Sequence, residues 1–195
     1  CTRSKTYVVG YGAGPAGAPG EIASDQFGCI AANSMVTYEA GCAWISDRGP
    51  CAIEGGGFRF IGEPIQHLFT GASARYLRDS HGMMRHSWAA HDPERGIVYF
   101  GVFADRASGT ANRVSVTYRG NAQFWSGNPA DAGDEAKSRF PCDEVLIYSY
   151  RSGAWSVWRP PTSLSIKWMA RGIDQNNGQS RMFFLGSDDR VYVMD

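Results

Sequence analysis

Histidine is the residue type in this chain best suited to metal binding or proton transfer, because neutral imidazole is a common metal ligand and titrates near neutral pH. The four histidines are His67, His81, His86 and His91. His86 and His91 lie five residues apart in a stretch that we predict to be one strand, and that spacing directs their side chains to opposite faces. They therefore cannot share a metal from that strand. We predict structural histidines and no metal or cofactor.

Acidic residues are candidates for glycoside hydrolysis, which needs two carboxylates facing one cleft. Asp47, Glu54, Asp92 and Asp143 are available. The acids of "SDRG" and "GSDDR" fall in tight turns, where Asp caps its own backbone. The stretch "DQNNG" contains one acid, fewer than a calcium loop requires. Because the chain also lacks G-x-S-x-G, P-loop and H-E-x-x-H motifs, we assign no catalytic residue and expect no enzyme, with a propeller glycosidase as the enzymatic alternative.

The cysteines are odd in number and contain no C-x-x-C pair; they are Cys1, Cys29, Cys42, Cys51 and Cys142. Such a pattern favours reduced, packed thiols over disulfides or a metal site. One pairing stands out, because Cys42 and Cys51 could face each other across a hairpin.

The tryptophans could line a sugar-binding platform or pack between sheets; they are Trp44, Trp88, Trp125, Trp155, Trp158 and Trp168. Most of them fall within strand patterns, which favours packing. Phe124 and Trp125 lie instead in an insertion and are candidates for an exposed subunit contact. Leu68 and Phe69 join them as contact candidates if they do not pack against a sheet.

Charge and hydropathy exclude two classes of partner. Lys+Arg and Asp+Glu each number 19, and no basic run occurs, so we expect no sequence-specific binding of nucleic acid. No continuous apolar stretch approaches the about 20 residues of a membrane span. The 24 glycines and the 13% aromatic content favour turn-rich β-structure.

The elements that must position these residues are short strands arranged in repeated units. Within "DEVLIYSYRSGAWSVWRPP" (143–161), two β-prone runs flank a glycine turn, which predicts a hairpin. That hairpin closes one of three similar units at about 34–62, 85–159 and 164–195. An insertion at about 104–141, with an extra hairpin of its own, splits the second unit. A helix is predicted near 63–78, where apolar residues recur at three- and four-residue spacing.

Four short antiparallel strands repeated in series are typical of β-propeller blades. We therefore predict an all-β fold, with residues 1–195 forming a single β-propeller region; the alternative is a β-sandwich. Both ends of the chain fall on strand patterns, and we expect it to be a fragment of a longer polypeptide.

Several of these stretches resemble structural proteins of tailed bacteriophages. The stretches are "TRSKTYVVGYG", "IASDQFGCIAANSMV" and "GCAWISDRGPCAIEGGGFRFIGEPI". The matching features are the strand at Tyr7 to Gly10, Gly28 with Cys29, the strand at Ser34 to Val36, the turn from Ile45 to Gly49, and the closing strand from Gly56 to Gly62. "HSWAAHDPERGIVYF" and "VLIYSYRSGAWSVW" match the next blade of that family.

The resemblance implies a propeller-bearing virion component of the tail or the head-to-tail junction, assembled in the host cytoplasm. Its partners would be further subunits in a homo-oligomeric ring around the DNA channel and neighbouring virion proteins. The family carries no catalytic residues to transfer. A receptor- or carbohydrate-binding propeller that recognises a host surface glycan is the non-enzymatic alternative.

Overall fold

Runs of β-branched and aromatic residues separated by glycine turns form fifteen strands in the described part of the chain. The computed structural model describes residues 5–8, 21–71, 74, 76, 83–103, 114–118, 121–125, 142, 144–160, 166–176 and 178–194. The strands are β1 (Thr6–Val8), β2 (Glu21–Ser24), β3 (Val36–Tyr38), β4 (Gly41–Ser46), β5 (Gly49–Glu54), β6 (Gly57–Arg59), β7 (Trp88–Asp92), β8 (Ile97–Val102), β9 (Val114–Tyr118), β10 (Asn121–Trp125), β11 (Glu144–Ser149), β12 (Ala154–Trp158), β13 (Ile166–Ile173), β14 (Ser180–Gly186) and β15 (Val191–Met194).

Three antiparallel sheets contain most of these strands. The first sheet has the order β3-β4-β5-β6, the second β7-β8-β11-β12 and the third β13-β14-β15. Within each sheet the described strands follow one another up and down, and the paired strands β9 and β10 lie between β8 and β11 along the chain. The fold is therefore all-β with little helix, and the predicted extra hairpin of the insertion is confirmed.

The hairpin predicted in residues 143–161 is also confirmed. β11 pairs with β12 from Val145 opposite Trp158 to Ser149 opposite Ala154. Gly153 closes the turn with a φ of 71° and donates its N–H to the carbonyl of Ser149 at 2.7 Å. A left-handed backbone of this kind suits glycine, which explains the glycine in the turn.

The helix predicted near 63–78 is shorter than expected and is of the 3-10 type. It runs over Glu63–Leu68, and two further 3-10 helices cover Ala32–Ser34 and Met83–His86. Gly71 has a φ of 93°, which an α-helix cannot contain. The N–H of Tyr76 then bonds the carbonyl of Leu68 at 2.7 Å, so the chain folds back on the helix end. The apolar spacing reflects burial of a turn rather than a continuous helix.

The second sheet is covered on both of its faces. The ring of His91 on β7 packs against Tyr38 of the first sheet with ring centroids 6.2 Å apart. On the same strand, Trp88 packs against Trp168 of the third sheet with centroids 5.9 Å apart. Because both faces are buried, the inner strands β8 and β11 are apolar almost throughout instead of alternating with polar residues.

Gly101 on β8 makes room for the indole of Trp88. The two residues are opposite each other in the β7–β8 ladder. A Cβ at Gly101 would lie 2.1 Å from Cε2 of Trp88, far inside van der Waals contact, and Trp88 is 1% exposed and hemmed in by Trp168. A side chain at this glycine would therefore displace the tryptophan.

We predict that Gly101→Ala lowers the free energy of unfolding by at least about 2 kcal/mol, because overpacking a closed core forces side chains off their rotamers. Gly57→Ala on β6 is the matched control, since a Cβ there meets only the carbonyl oxygen of Glu54 at 3.8 Å. We expect the control to change stability by no more than about 0.5 kcal/mol. Urea denaturation of both variants measures this, and equal stabilities would contradict the packing argument.

Candidate functional site

A polar cleft of about 280 Å³ lies where the turn between β7 and β8 meets the hairpin of β13 and β14. Its lining contains three arginines and two acids, namely Arg95, Arg171, Arg181, Asp92 and Glu94. These side chains come from two different sheets. The cleft therefore gathers five charged side chains around one space.

The β7–β8 turn holds one wall of the cleft in place. Asp92 ends β7 and its Oδ1 accepts the backbone N–H groups of Glu94 at 3.2 Å and Arg95 at 3.3 Å. Arg151, from the β11–β12 turn, donates from Nη2 to the carbonyl of Pro93 at 3.0 Å. An Asx turn and a guanidinium clamp thus fix the backbone that carries Glu94 and Arg95.

Arg171 on β13 links the two walls. Its Nη2 donates to Oε1 of Glu94 at 3.1 Å, and its Nε donates to Oγ of Ser180 on β14. The side chains of Arg171 and Glu94 are 42% and 61% exposed, so this ion pair contributes little to stability. Its effect is to hold a guanidinium at the cleft mouth.

Arg181 on β14 supplies the third guanidinium. Its Nη2 donates to Oε1 of Gln179 at 3.2 Å, and its Nε lies 3.9 Å from Oδ2 of Asp174. Asp174 also accepts the N–H of Asn176 at 3.0 Å, which places this carboxylate in the β13–β14 turn. The amide of Gln179 and the carboxylate of Asp174 therefore orient the guanidinium of Arg181.

The arrangement suits binding better than hydrolysis. Of the two acids in the lining, Asp92 uses Oδ1 in the turn, and its Oδ2 lies 3.9 Å from Nε of Arg95. Among the described lining residues, Glu94 therefore has no second carboxylate free to act as the acid–base partner that glycosidases need. Guanidinium donors and carboxylate acceptors around one small space are instead the groups that recognise an anionic, hydroxylated molecule.

Two further carboxylate candidates from the sequence, Glu54 and Asp47, do not line this cleft. Glu54 accepts the hydroxyl of Tyr38 at 2.5 Å and pairs with Arg59 at 2.7 Å across the first sheet. Burial, together with the bond to Glu54, raises the pKa of Tyr38 far above its ordinary value. Asp47 lies in the β4–β5 turn, and Asp143 lies outside the described residues.

Glu144 is a buried carboxylate that the sequence did not distinguish. Its side chain is 2% exposed on β11, where it accepts the hydroxyl of Tyr76 and pairs with Nε of Arg159 at 2.8 Å. The glutamate fastens the segment after the 3-10 helix to the second sheet. Because it is enclosed, it cannot reach a substrate, and its role is structural.

The histidines occupy separate places. His86 ends the 3-10 helix Met83–His86 and His91 lies on β7, so the prediction that they share one strand was wrong. The ring of His86 contacts Phe103 at 6.5 Å, and Nε2 of His91 lies 3.2 Å from the hydroxyl of Tyr150. His67 is exposed, and His81 lies outside the described residues. Among the described residues, no group of three or more His, Cys, Asp or Glu could hold a metal ion.

The four described cysteines are free thiols. Cys42 is opposite Ile53 and Cys51 is opposite Trp44, so the two cysteines are not directly paired across the β4–β5 hairpin, and no disulfide joins them. Burial raises the pKa of Cys51 to about 12, which keeps its thiol protonated. A protonated, fully buried thiol is a packing residue rather than a nucleophile.

Most tryptophans pack, as their positions in strands predicted. Trp44 is 1% exposed and donates from Nε1 to the carbonyl of Gly28 at 3.1 Å, and Trp155 donates to the carbonyl of Ile61 at 2.9 Å. Trp158 packs against Phe184 with ring centroids 6.2 Å apart.

Two of the four candidate contact residues fall on the 3-10 helix and its end. Phe69 is 2% exposed and packs against Tyr76 at 5.2 Å, so its side chain is not available to a partner, because the chain folds back over it. Leu68 is half-buried and packs against the core. Phe124 and Trp125 lie on β10, and their side chains are outside what the structure describes.

The cleft arginines were missed at the sequence level for a simple reason. Arg95 is separated from Arg171 and Arg181 by more than seventy positions in the chain, and no local spacing connects them. Only the pairing of strands within sheets and the contact between sheets bring them together.

Comparison with known proteins adds no family. No protein-family model matches the chain, and no curated protein matches it significantly. Among the described residues, no helix is both long enough and apolar enough to cross a membrane.

We predict that acid destabilises the contact between the first and second sheets through His91. Burial lowers the pKa of His91 below 6.5, so the folded state binds fewer protons than the unfolded state. The contribution of neutral His91 to the stability of the folded state is therefore fully present above pH 6.5. It is lost as the pH falls through the lower pKa that His91 has in the folded protein.

Thermal unfolding between pH 5 and 7.5 measures this effect. His91→Gln should flatten the pH dependence, whereas His67→Gln, which replaces an exposed histidine, should leave it as in the wild type. Identical pH profiles for the wild type and His91→Gln would refute the assignment.

Proposed function

We propose that the three sheets are blades of a β-propeller, and that the chain is a structural component of a tailed-bacteriophage virion. In this proposal it is part of a ring in the tail or the head-to-tail junction, around the DNA channel. It assembles in the host cytoplasm, and its partners are further ring subunits and neighbouring virion proteins. No catalysis is involved.

The main support for a propeller is that the three sheets approach each other at their first strands. Each sheet begins with the strand that comes first in the chain, and β7 of the second sheet contacts both β3 of the first and β13 of the third. Other described strands of these three sheets approach one another less closely across the sheet boundaries. Blades that converge on a central axis meet at their first strands in this way and diverge outward.

The outermost strand of the second sheet also contacts both neighbouring sheets. On β12, three strands out from β7, Nε1 of Trp155 donates to the carbonyl of Ile61, which follows β6, and the ring of Trp158 packs against Phe184 of the third sheet. The second sheet is therefore flanked by its neighbours at its outermost strand as well as at its first, which suits a blade between two others.

Coverage of the second sheet on both faces also favours blades over a two-layer sandwich. In a sandwich, each sheet packs through one face, and along each strand the inward-facing apolar residues alternate with outward-facing polar residues. The second sheet instead packs His91 toward the first sheet and Trp88 toward the third. Since propellers close with typically 4–8 blades, further blades or a second copy would complete the ring.

The charge balance suits a channel component. Basic and acidic residues number 19 each, so the chain has no excess of cations to bind phosphates. Fixed phosphate contacts would slow the passage of DNA. A rigid, neutral ring permits that passage, which is the mechanical role that we propose.

We predict that outer strands lie farther apart than first strands in solution. Spin labels on non-canonical residues at positions Thr37 (β3) and Ala170 (β13) measure the distance between two first strands. Labels at Arg59 (β6) and Val193 (β15) measure the distance between two outer strands. Converging blades should make the outer distance longer by more than about 10 Å, given strand spacings near 4.8 Å. Parallel layers would give two equal distances, which would exclude the propeller.

The virion assignment predicts that the protein is found in particles. Purified tailed-phage particles from the source should contain peptides of this chain at a fixed copy number, and cryo-electron microscopy should locate it in a ring at the tail or junction. Light scattering of the native protein should give a defined oligomer. A stable monomer absent from particles would overturn the assignment while leaving the propeller arrangement intact.

A further inference from the structure

We propose that the polar cleft between the β7–β8 turn and the β13–β14 hairpin binds a carboxylate-bearing sugar. The cleft of about 280 Å³ is slightly smaller than the about 300–1,000 Å³ of drug-sized sites, a size suited to a single sugar residue. This site does not depend on assembly of the chain into a ring.

The guanidinium groups select a carboxylate. Three arginines and two acids line the cleft, so the lining carries one net positive charge. Among the described contacts, Arg171 uses Nε for Ser180 and Nη2 for Glu94, which leaves both N–H groups of Nη1 for a ligand. A guanidinium edge matches a carboxylate in geometry and makes charge-assisted hydrogen bonds.

The arginines are held before a ligand arrives. Glu94 and Ser180 orient Arg171, and Gln179 orients Arg181. Arg151 and Asp92 in turn fix the backbone beneath Glu94. Pre-orientation reduces the entropy that a flexible arginine would lose on binding.

The remaining lining suits the ring of a sugar. Glu94 engages Arg171 through Oε1, which leaves Oε2 to accept a hydroxyl, and the hydroxyl of Ser180 can donate as well as accept. Half-buried Met194 adds a small apolar surface that can contact the C–H face of the ring, and Met182 is buried in the core. The cleft thus combines anion recognition with hydroxyl recognition.

Isothermal titration calorimetry of the intact chain tests the proposal, with glucuronate as the probe and glucose and inorganic phosphate as comparison ligands. We expect glucuronate to bind with a Kd of about 1 mM or tighter, and glucose and phosphate each to bind about tenfold more weakly. Arg171→Gln and Arg181→Gln should each weaken glucuronate binding by about tenfold. Arg190→Gln removes an exposed arginine of the third sheet outside the cleft and should bind as the wild type does.

Thermal melting of each variant verifies that it is folded before titration. Absence of glucuronate binding at about 10 mM would overturn the proposal, since affinity that weak is not selective. Glucose binding as tightly as glucuronate would overturn the role of the carboxylate, and phosphate binding as tightly would reduce the cleft to a general anion site. Equal affinities in wild type, Arg171→Gln and Arg181→Gln would place any binding elsewhere.

Discussion

Burial of the second sheet on both faces is the constraint on which the rest of the structure depends. Its first strand, β7, directs His91 toward Tyr38 of the first sheet and Trp88 toward Trp168 of the third. The indole of Trp88 finds no hydrogen-bond partner among the described residues and lies against Gly101, so packing alone holds it. The sheets on either side keep their positions because this sheet offers them two apolar faces.

The same packing creates the polar cleft at the margin of the core. Where β7 ends, Asp92 turns the chain, and the turn residues emerge beside the β13–β14 hairpin. Apolar contact between Trp88 and Trp168 fixes the separation of the two sheets, and Arg171 then spans it to Glu94. The scaffold and the candidate binding site are thus parts of one inter-sheet contact, in which apolar burial supplies the stability and the exposed charges supply the recognition.

Several features were predictable from sequence because they are local. The hairpin of β11 and β12 follows from two β-prone runs around Gly153, and the hairpin of β9 and β10 follows from similar local signals. The helix near 63–78 was overestimated, because apolar spacing alone does not distinguish a helix from a buried turn that Gly71 ends. The prediction that His86 and His91 share one strand was wrong for a related reason, since a 3-10 helix ends where the strand was expected to begin.

What the sequence by itself determined is the β class, the series of antiparallel strands and the apolar character of the inner strands, because these follow from propensity and hydropathy along a few neighbouring residues. Tertiary structure alone decided that Phe69 is buried and that Glu144 is paired with Arg159. It also brought Arg95, Arg171 and Arg181 to one cleft. These outcomes depend on contacts between residues far apart in the chain, and no local pattern encodes the angle and distance at which two sheets meet.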